Sequence, residues 1–172
     1  MIGRRRQRGF SLVEATLAIV VVGGLVVASL SALGGLGAAR LVLSDRAYAQ
    51  AIAGHWEATV KTAAYADPQS PAASWGVDAG ESVSDVSTFD DVDDFGGYLE
   101  KNPSGPDRKP AAPGDGWKVE ISVAAVRVNA GSITAASGDQ GLKRVTITVT
   151  RSGKVLATRA FVRTSSWDGV DP

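Results

Sequence analysis

The stretch RGFSLVEATLAIVVVGGLVVA (residues 8–28) decides the fold of this 172-residue chain. It opens an apolar run over residues 15–39, in which 25 consecutive positions carry no charged side chain. About 20 apolar residues in a helix cross a bilayer, and at about 1.5 Å per residue this run extends for roughly 37 Å. We therefore predict one membrane-spanning helix in this part of the chain.

Positive charge precedes the apolar run. The basic residues of this segment are Arg4, Arg5, Arg6 and Arg8, and no acidic residue accompanies them. The positive-inside rule places this end in the cytoplasm and everything after residue 39 outside, as in a single-pass protein of the inner membrane. A cleaved secretory signal has an apolar core of only about 7–15 residues. A plain signal anchor fits the length and the charge bias but does not account for Glu14.

Glu14 lies at the start of this apolar helix, and an ionised carboxylate in hydrocarbon costs about 2.5–3.5 kcal/mol. If the chain is cut between Gly9 and Phe10, the new α-ammonium group of Phe10 lies one helical turn from Glu14. The carboxylate can then pair with that amine or with the amine of a neighbouring copy. Alternatively, Ser11 and Glu14 form an S-x-x-E capping box at the helix start. Both roles require Glu14 in the first turn.

These residues resemble the prepilin leader and helix of type IV pilins and type II secretion pseudopilins. Gly9 matches the residue before the cut, Phe10 the new amino terminus, and Glu14 the acidic fifth residue of the mature chain. The resemblance implies cleavage by prepilin peptidase and N-methylation of Phe10. It also implies partners: membrane lipid, an inner-membrane assembly platform and other pilin or pseudopilin subunits. Many major pilins have a proline in mid-helix, near the place that Ser31 takes here.

The helix is expected to continue beyond the membrane as an amphipathic segment, residues 40–64. Spacings of four and seven define one apolar face, formed by Leu41, Tyr48, Ile52, Trp56 and Val60. The sequence therefore predicts five segments. They are a leader (1–9), a transmembrane helix half (10–39), an amphipathic helix half (40–64), a variable connector with an acidic segment (65–116) and an antiparallel sheet (117–172).

Alternation of apolar and polar residues predicts the sheet. Residues 117–128 begin with such alternation, and residues 143–164 are typical of a hairpin that turns at Ser152 and Gly153. Three or four antiparallel strands can cover the apolar face of one helix. We therefore predict an α+β, pilin-like fold, in which a long N-terminal helix with a transmembrane first half packs on a C-terminal antiparallel sheet.

The connector contains the acidic segment STFDDVDDFGGYLE (residues 87–100). Its four aspartates are Asp90, Asp91, Asp93 and Asp94, and hard oxygen ligands of this kind suit calcium. The spacing is not that of an EF-hand loop. The alternative is a short acidic turn whose aromatic side chains and Val92 anchor it to the core while the aspartates face water. This stretch also resembles a segment of minor pilins of the MSHA biogenesis MshD type, which favours a minor subunit.

The remaining sequence features do not indicate an enzyme. The single histidine, His55, is expected to be a packing or surface residue, and nucleotide-binding or hydrolase motifs are not found. With no cysteine in the chain, thiolate metal sites are excluded. Loss of the leader would leave 14 basic against 18 acidic residues, so no nucleic-acid partner is expected. The sequence thus predicts a prepilin-like structural subunit, a minor pilin or pseudopilin; the alternative is an uncleaved, membrane-anchored extracytoplasmic binding module.

Overall fold

The chain divides into two compact units, Met1–Leu43 and Ser44–Pro172. The structure, a computed structural model, describes residues 11–68, 75–78, 80–82, 85–104 and 110–167. A single helix, α1 (Leu12–Thr62), begins in the first unit and ends in the second. Residue 10, where the transmembrane half was predicted to begin, lies outside the described residues, and α1 ends two residues before the expected end at residue 64.

The second unit contains an antiparallel sheet. Its strands are β1 (Leu99–Lys101), β2 (Trp117–Asn129), β3 (Ser132–Ala135), β4 (Leu142–Arg151) and β5 (Lys154–Thr164). The strand order is β1-β2-β4-β5, and β3 pairs with the far end of β2. The α+β class is therefore confirmed, with five strands in place of the three or four predicted. The two additional strands, β1 and β3, are too short to show an alternating pattern.

The core of the second unit lies between the last turns of α1 and one face of this sheet. Alternate residues of β2 and β4 are buried, as the pleat requires. These inward residues are Trp117, Val119, Ile121, Val145, Ile147 and Val149. From α1, the buried residues of the core are Ala49, Ile52, Ala53, Trp56 and Val60.

The predicted apolar face of the helix is only partly correct. Ile52, Trp56 and Val60 are buried, whereas Leu41 is 70% exposed and Tyr48 is 37% exposed. Leu41 belongs to the first unit, in which the large apolar side chains of α1 are exposed. Burial of α1 begins at Ala49, a residue too small to stand out in a hydrophobic pattern.

Side chains of β5 fix the end of the helix. The guanidinium group of Arg163 donates hydrogen bonds to the carbonyl oxygens of Lys61, at 2.6 Å, and Ala63, at 2.8 Å. The last carbonyl groups of a helix have no partner within it, and this contact satisfies that of Lys61 in the last turn and that of Ala63 just after the helix. One turn earlier, Arg159 pairs with Glu57 at 2.6 Å. Hydrogen bonds from Lys61 and from Arg159 lower the pKa of Glu57.

The hairpin between β4 and β5 turns where the sequence predicts. Ser152 and Gly153 both have positive φ, 49° and 80°, as a type I′ turn requires. The residue before the turn, Arg151, pairs with Asp45 on α1. The turn is thereby tied to the part of the helix where the second unit begins.

Candidate functional site

The first candidate site is the start of α1. The predicted processing residues, Gly9 and Phe10, lie outside the described residues. The third helical residue is Glu14, which is exposed. The hydroxyl of Ser11 accepts a hydrogen bond from the backbone N–H of Val13 at 3.3 Å, so Ser11 caps the helix. Glu14 therefore lies in the first turn, where both of its predicted roles need it.

The surface of α1 in the first unit is apolar and uncovered. Its large side chains are exposed from Leu12 to Leu43. Within the described residues, α1 is the one helix with the length and composition that a membrane span needs, and its most apolar part is entirely unburied. An apolar surface of this length is expected to face lipid or other apolar helices and not water.

All three hydroxyl side chains between residues 15 and 39 are bonded to the helix itself. Thr16 donates to the carbonyl of Val13 at 2.9 Å. Ser29 donates to Leu25 at 2.8 Å, and Ser31 donates to Val27 at 2.9 Å. An unpaired hydroxyl is costly in hydrocarbon. These local bonds remove that cost, so the segment has no hydroxyl that needs a partner outside the helix.

The second candidate site is the acidic segment of the connector, which is joined to the end of α1. A short parallel β-bridge links Ala64 to Asp91. In this bridge the N–H of Ala64 donates a hydrogen bond to the carbonyl of Asp90 at 3.1 Å. The carbonyl of Ala64 in turn accepts one from the N–H of Val92 at 3.0 Å. The rings of Phe95 and Tyr98 pack against Trp56 of the helix, and Phe89 packs against both of those rings. The predicted anchoring of this segment to the core, with Val92 buried, is confirmed.

The alternative hypothesis, in which the aspartates of this segment face water, is not correct for three of them. Asp91, Asp93 and Asp94 are 5%, 6% and 3% exposed, and Asp90 is half-buried. Because the segment folds back on itself, the carboxylates accept hydrogen bonds from its own backbone. Asp91 accepts from the N–H of Asp93 at 2.7 Å, while Asp94 accepts from those of Asp90 and Asp91 at 3.1 and 3.0 Å.

Two of the four aspartates meet a glutamate that the sequence analysis did not select. Carboxylate oxygens of Glu81, Asp90 and Asp94 all lie within 4.8 Å of one another. Burial, and next the neighbouring carboxylate of Asp94, raise the pKa of Glu81. Three close carboxylates offer hard oxygen ligands of the kind that calcium takes. Glu81 lies nine positions before Asp90, and no spacing rule connects the two.

The other two aspartates lie beside a buried lysine of β4. Nζ of Lys143 pairs with Asp93 and also donates a hydrogen bond to the carbonyl oxygen of Tyr65. The rings of Tyr65 and Trp75 lie 4.5 and 5.4 Å from this nitrogen. Burial, together with the negative charge of Asp93, raises the pKa of Asp91 to about 7, although Lys143 opposes the rise. The four predicted calcium ligands are thus divided: Asp90 and Asp94 lie with Glu81, and Asp91 and Asp93 lie with Lys143.

His55 projects from the exposed side of α1, and its ring lies 6.0 Å from that of Trp56.

No protein-family model matches the chain, and neither a characterised protein nor a solved structure is significantly similar to it.

Proposed function

We propose that the chain is a prepilin-like structural subunit, a minor pilin or pseudopilin of a type IV pilus or a type II secretion system. Prepilin peptidase would cut it between Gly9 and Phe10 and methylate the new amino terminus. An inner-membrane assembly platform would then move the subunit from lipid into a filament of similar subunits. The remainder of the chain, on the extracytoplasmic side, would decorate that filament.

The observation that carries this proposal is the combination of Glu14 with an uncovered apolar helix. Glu14 is exposed in the first turn, and the apolar surface that follows it has no covering within the described residues. In lipid a lone carboxylate is costly, whereas the amine of a processed Phe10 on an adjacent subunit would neutralise it. Pairing of this kind sets the axial offset between subunits that stack side by side.

The division of the chain supports the same proposal. The second unit has its own core, in which α1 ends against an antiparallel sheet. A subunit of this kind needs one segment that packs in the filament axis and one that is stable outside it. The chain supports the proposal because its first unit carries the exposed apolar helix surface and its second unit has its own core.

The intact mass of the protein extracted from membranes tests the proposal. A processed subunit has a mass that begins at an N-methylated Phe10, and a chain with Gly9→Val keeps the leader because a bulkier residue blocks the cut. A wild-type mass that begins at Met1 would contradict the proposal and favour the alternative, an uncleaved membrane-anchored binding module on the extracytoplasmic side. That module would need no partner for Glu14.

The calcium site stays a prediction. The structure groups Glu81 with Asp90 and Asp94 and gives Asp91 and Asp93 other contacts. Calcium bound there would hold the connector in one conformation, a role that disulfide bonds fill in many exported proteins that contain cysteine.

A further inference from the structure

Lys143 and Asp93 form an ion pair in the interior of the second unit, with a third ionisable group, Asp91, beside it. The three residues are 2%, 6% and 5% exposed. Nζ of Lys143 donates a hydrogen bond to Oδ1 of Asp93. We propose that this pair is a self-modification site, at which Nζ of Lys143 and Cγ of Asp93 become joined by an amide bond with release of one water molecule. Nothing in this inference depends on the proposed function.

Burial favours the neutral product over the ion pair. Two charges removed from water lose solvation that their mutual attraction repays only in part. An amide linkage carries no charge, and the water that it releases returns to bulk solvent. The fold holds the amine and the carboxyl group in contact, which gives the reaction a high effective concentration.

Both reacting groups are held in position by the backbone. The carbonyl oxygen of Tyr65 accepts one N–H of Nζ, so the nitrogen of Lys143 stays directed at Asp93. On the acid, Oδ2 of Asp93 accepts a hydrogen bond from the N–H of Gly76 at 2.9 Å. Negative charge develops on this oxygen when an amine adds to the carbon, and a backbone donor that is already in place stabilises it.

Asp91 is the group suited to move protons during the reaction. Its Oδ1 accepts a hydrogen bond from the backbone N–H of Asp93 at 2.7 Å, which places this carboxyl group beside the reacting acid. A carboxyl group has two oxygens, either of which can carry the proton. One of its oxygens can then accept a proton while the other donates one.

The steps balance without an oxidant or another reactant. Nζ first gives one proton to Oδ1 of Asp93, which leaves an amine with a free electron pair. That pair attacks Cγ and forms the N–C bond, while the C=O electrons move to Oδ2 beside the N–H of Gly76. Asp91 takes a proton from the nitrogen and gives its own to Oδ1. The Cγ–Oδ1 bond then breaks, water leaves, the carbonyl re-forms, and Asp91 is again protonated.

The bond would close a loop between the connector and β4. Residues 93 and 143 are 50 positions apart, so the loop includes β1, β2 and β3. A chain without cysteine would in this way gain a covalent constraint of the kind that disulfides give to exported proteins.

Peptide mass spectrometry of the full-length protein, purified in detergent and digested with trypsin under denaturing conditions, tests the inference. We expect a branched peptide that joins residues 62–101 to residues 128–144, lighter than its two parts by one water. Trypsin does not cleave after a lysine whose amine is in an amide bond. Complete cleavage after Lys143 in the wild-type protein would overturn the proposal. This readout does not involve the amino terminus, so it is independent of leader processing.

Three variants separate the reaction from a simple ion pair. Lys143→Arg keeps the positive charge and should give no branched peptide, while Lys118→Arg, at an exposed position of β2, should give the wild-type amount. Asp91→Ala leaves Lys143 and Asp93 in place and should slow formation of the bond about a hundredfold. Formation of the branched peptide in Asp91→Ala at the wild-type rate would overturn the assigned proton transfer.

Discussion

Arg163, in the strand β5, donates a hydrogen bond of 2.6 Å to the carbonyl oxygen of Lys61 in the last turn of α1. Its second hydrogen bond reaches the carbonyl of Ala63. The side chain is buried, so water does not replace it easily as a donor. Arg163 therefore caps the carboxyl end of the helix and links it to a strand that lies about 100 residues later in the sequence.

Replacement of Arg163 should weaken the second unit. We expect Arg163→Met to lower the free energy of unfolding by about 2–3 kcal/mol, because the carbonyl groups of Lys61 and Ala63 lose a charged donor. Urea unfolding of the full-length chain in detergent, followed by tryptophan fluorescence, measures this change. The matched control is Lys154→Met at the exposed start of β5, which should change stability by less than about 0.5 kcal/mol. Equal effects of the two substitutions would show that capping of the helix by Arg163 contributes nothing to the free energy of unfolding.

Neutralisation of Glu14 should impair assembly and leave membrane insertion and leader cleavage intact. We expect Glu14→Leu to reduce incorporation into sheared filaments, or the corresponding secretion activity, at least tenfold, a change of about 1.4 kcal/mol. Ser29→Ala is the control, because its hydroxyl bonds only to the carbonyl of Leu25 in the same helix. Wild-type incorporation of the Glu14→Leu chain would contradict the assigned role of this carboxylate.

The free energy of unfolding should fall as the pH rises from about 5 to 7, because Asp91 titrates in this range. The pKa of this group is about 7 in the folded chain and near 3.8 in the unfolded chain, so the folded state binds more protons in this range. The stabilising contribution is complete below the unfolded pKa and is lost as the pH passes through the folded pKa. The change is on the order of 2 kcal/mol between pH 5 and 7.

The variant Asp91→Asn tests this dependence. Its amide oxygen can still accept the N–H groups of Asp93 and Asp94, but it does not titrate. We compare slopes of unfolding free energy against pH, measured with a chelator present, because the substitution also changes absolute stability. An unchanged slope in Asp91→Asn would assign the pH dependence to other groups.

Calcium should stabilise the second unit if the three grouped carboxylates bind it. Saturation at about 100 times the dissociation constant adds about 2.7 kcal/mol to the free energy of unfolding. Asp90→Asn should abolish the calcium-dependent rise, whereas Asp115→Asn, which changes an exposed carboxylate outside the group, should retain it. Equal unfolding midpoints of the wild-type chain with calcium and with chelator would refute the calcium prediction.

The main elements of the fold could be predicted because their patterns are long. The uncharged run of residues 15–39 requires a helix, and alternation in residues 117–128 and 143–164 requires strands that bury one face. The strands β1 and β3 could not be found, since three or four residues show no period. Leu41 was wrongly placed on the buried face, because helical spacing alone does not tell where the sheet begins to cover the helix.

The acidic segment was found from its composition, but its internal arrangement could not be predicted. Neighbouring aspartates look equivalent in sequence, yet Asp93 pairs with Lys143 and Asp94 lies with Glu81. These contacts depend on how β4 and the connector approach each other, and local sequence does not encode that approach. Buried acids of this kind are found only when their partners are known.

The internal bonding of Thr16, Ser29 and Ser31 has a consequence for the movement of α1 between environments. A helix whose hydroxyls already have acceptors presents only hydrocarbon to whatever surrounds it. If the segment passes from lipid into a filament, as proposed, the exchange of acyl chains for protein side chains breaks none of these hydroxyl hydrogen bonds. In the proposed subunit, the energetics of that exchange would therefore be concentrated at the amino-terminal end of α1.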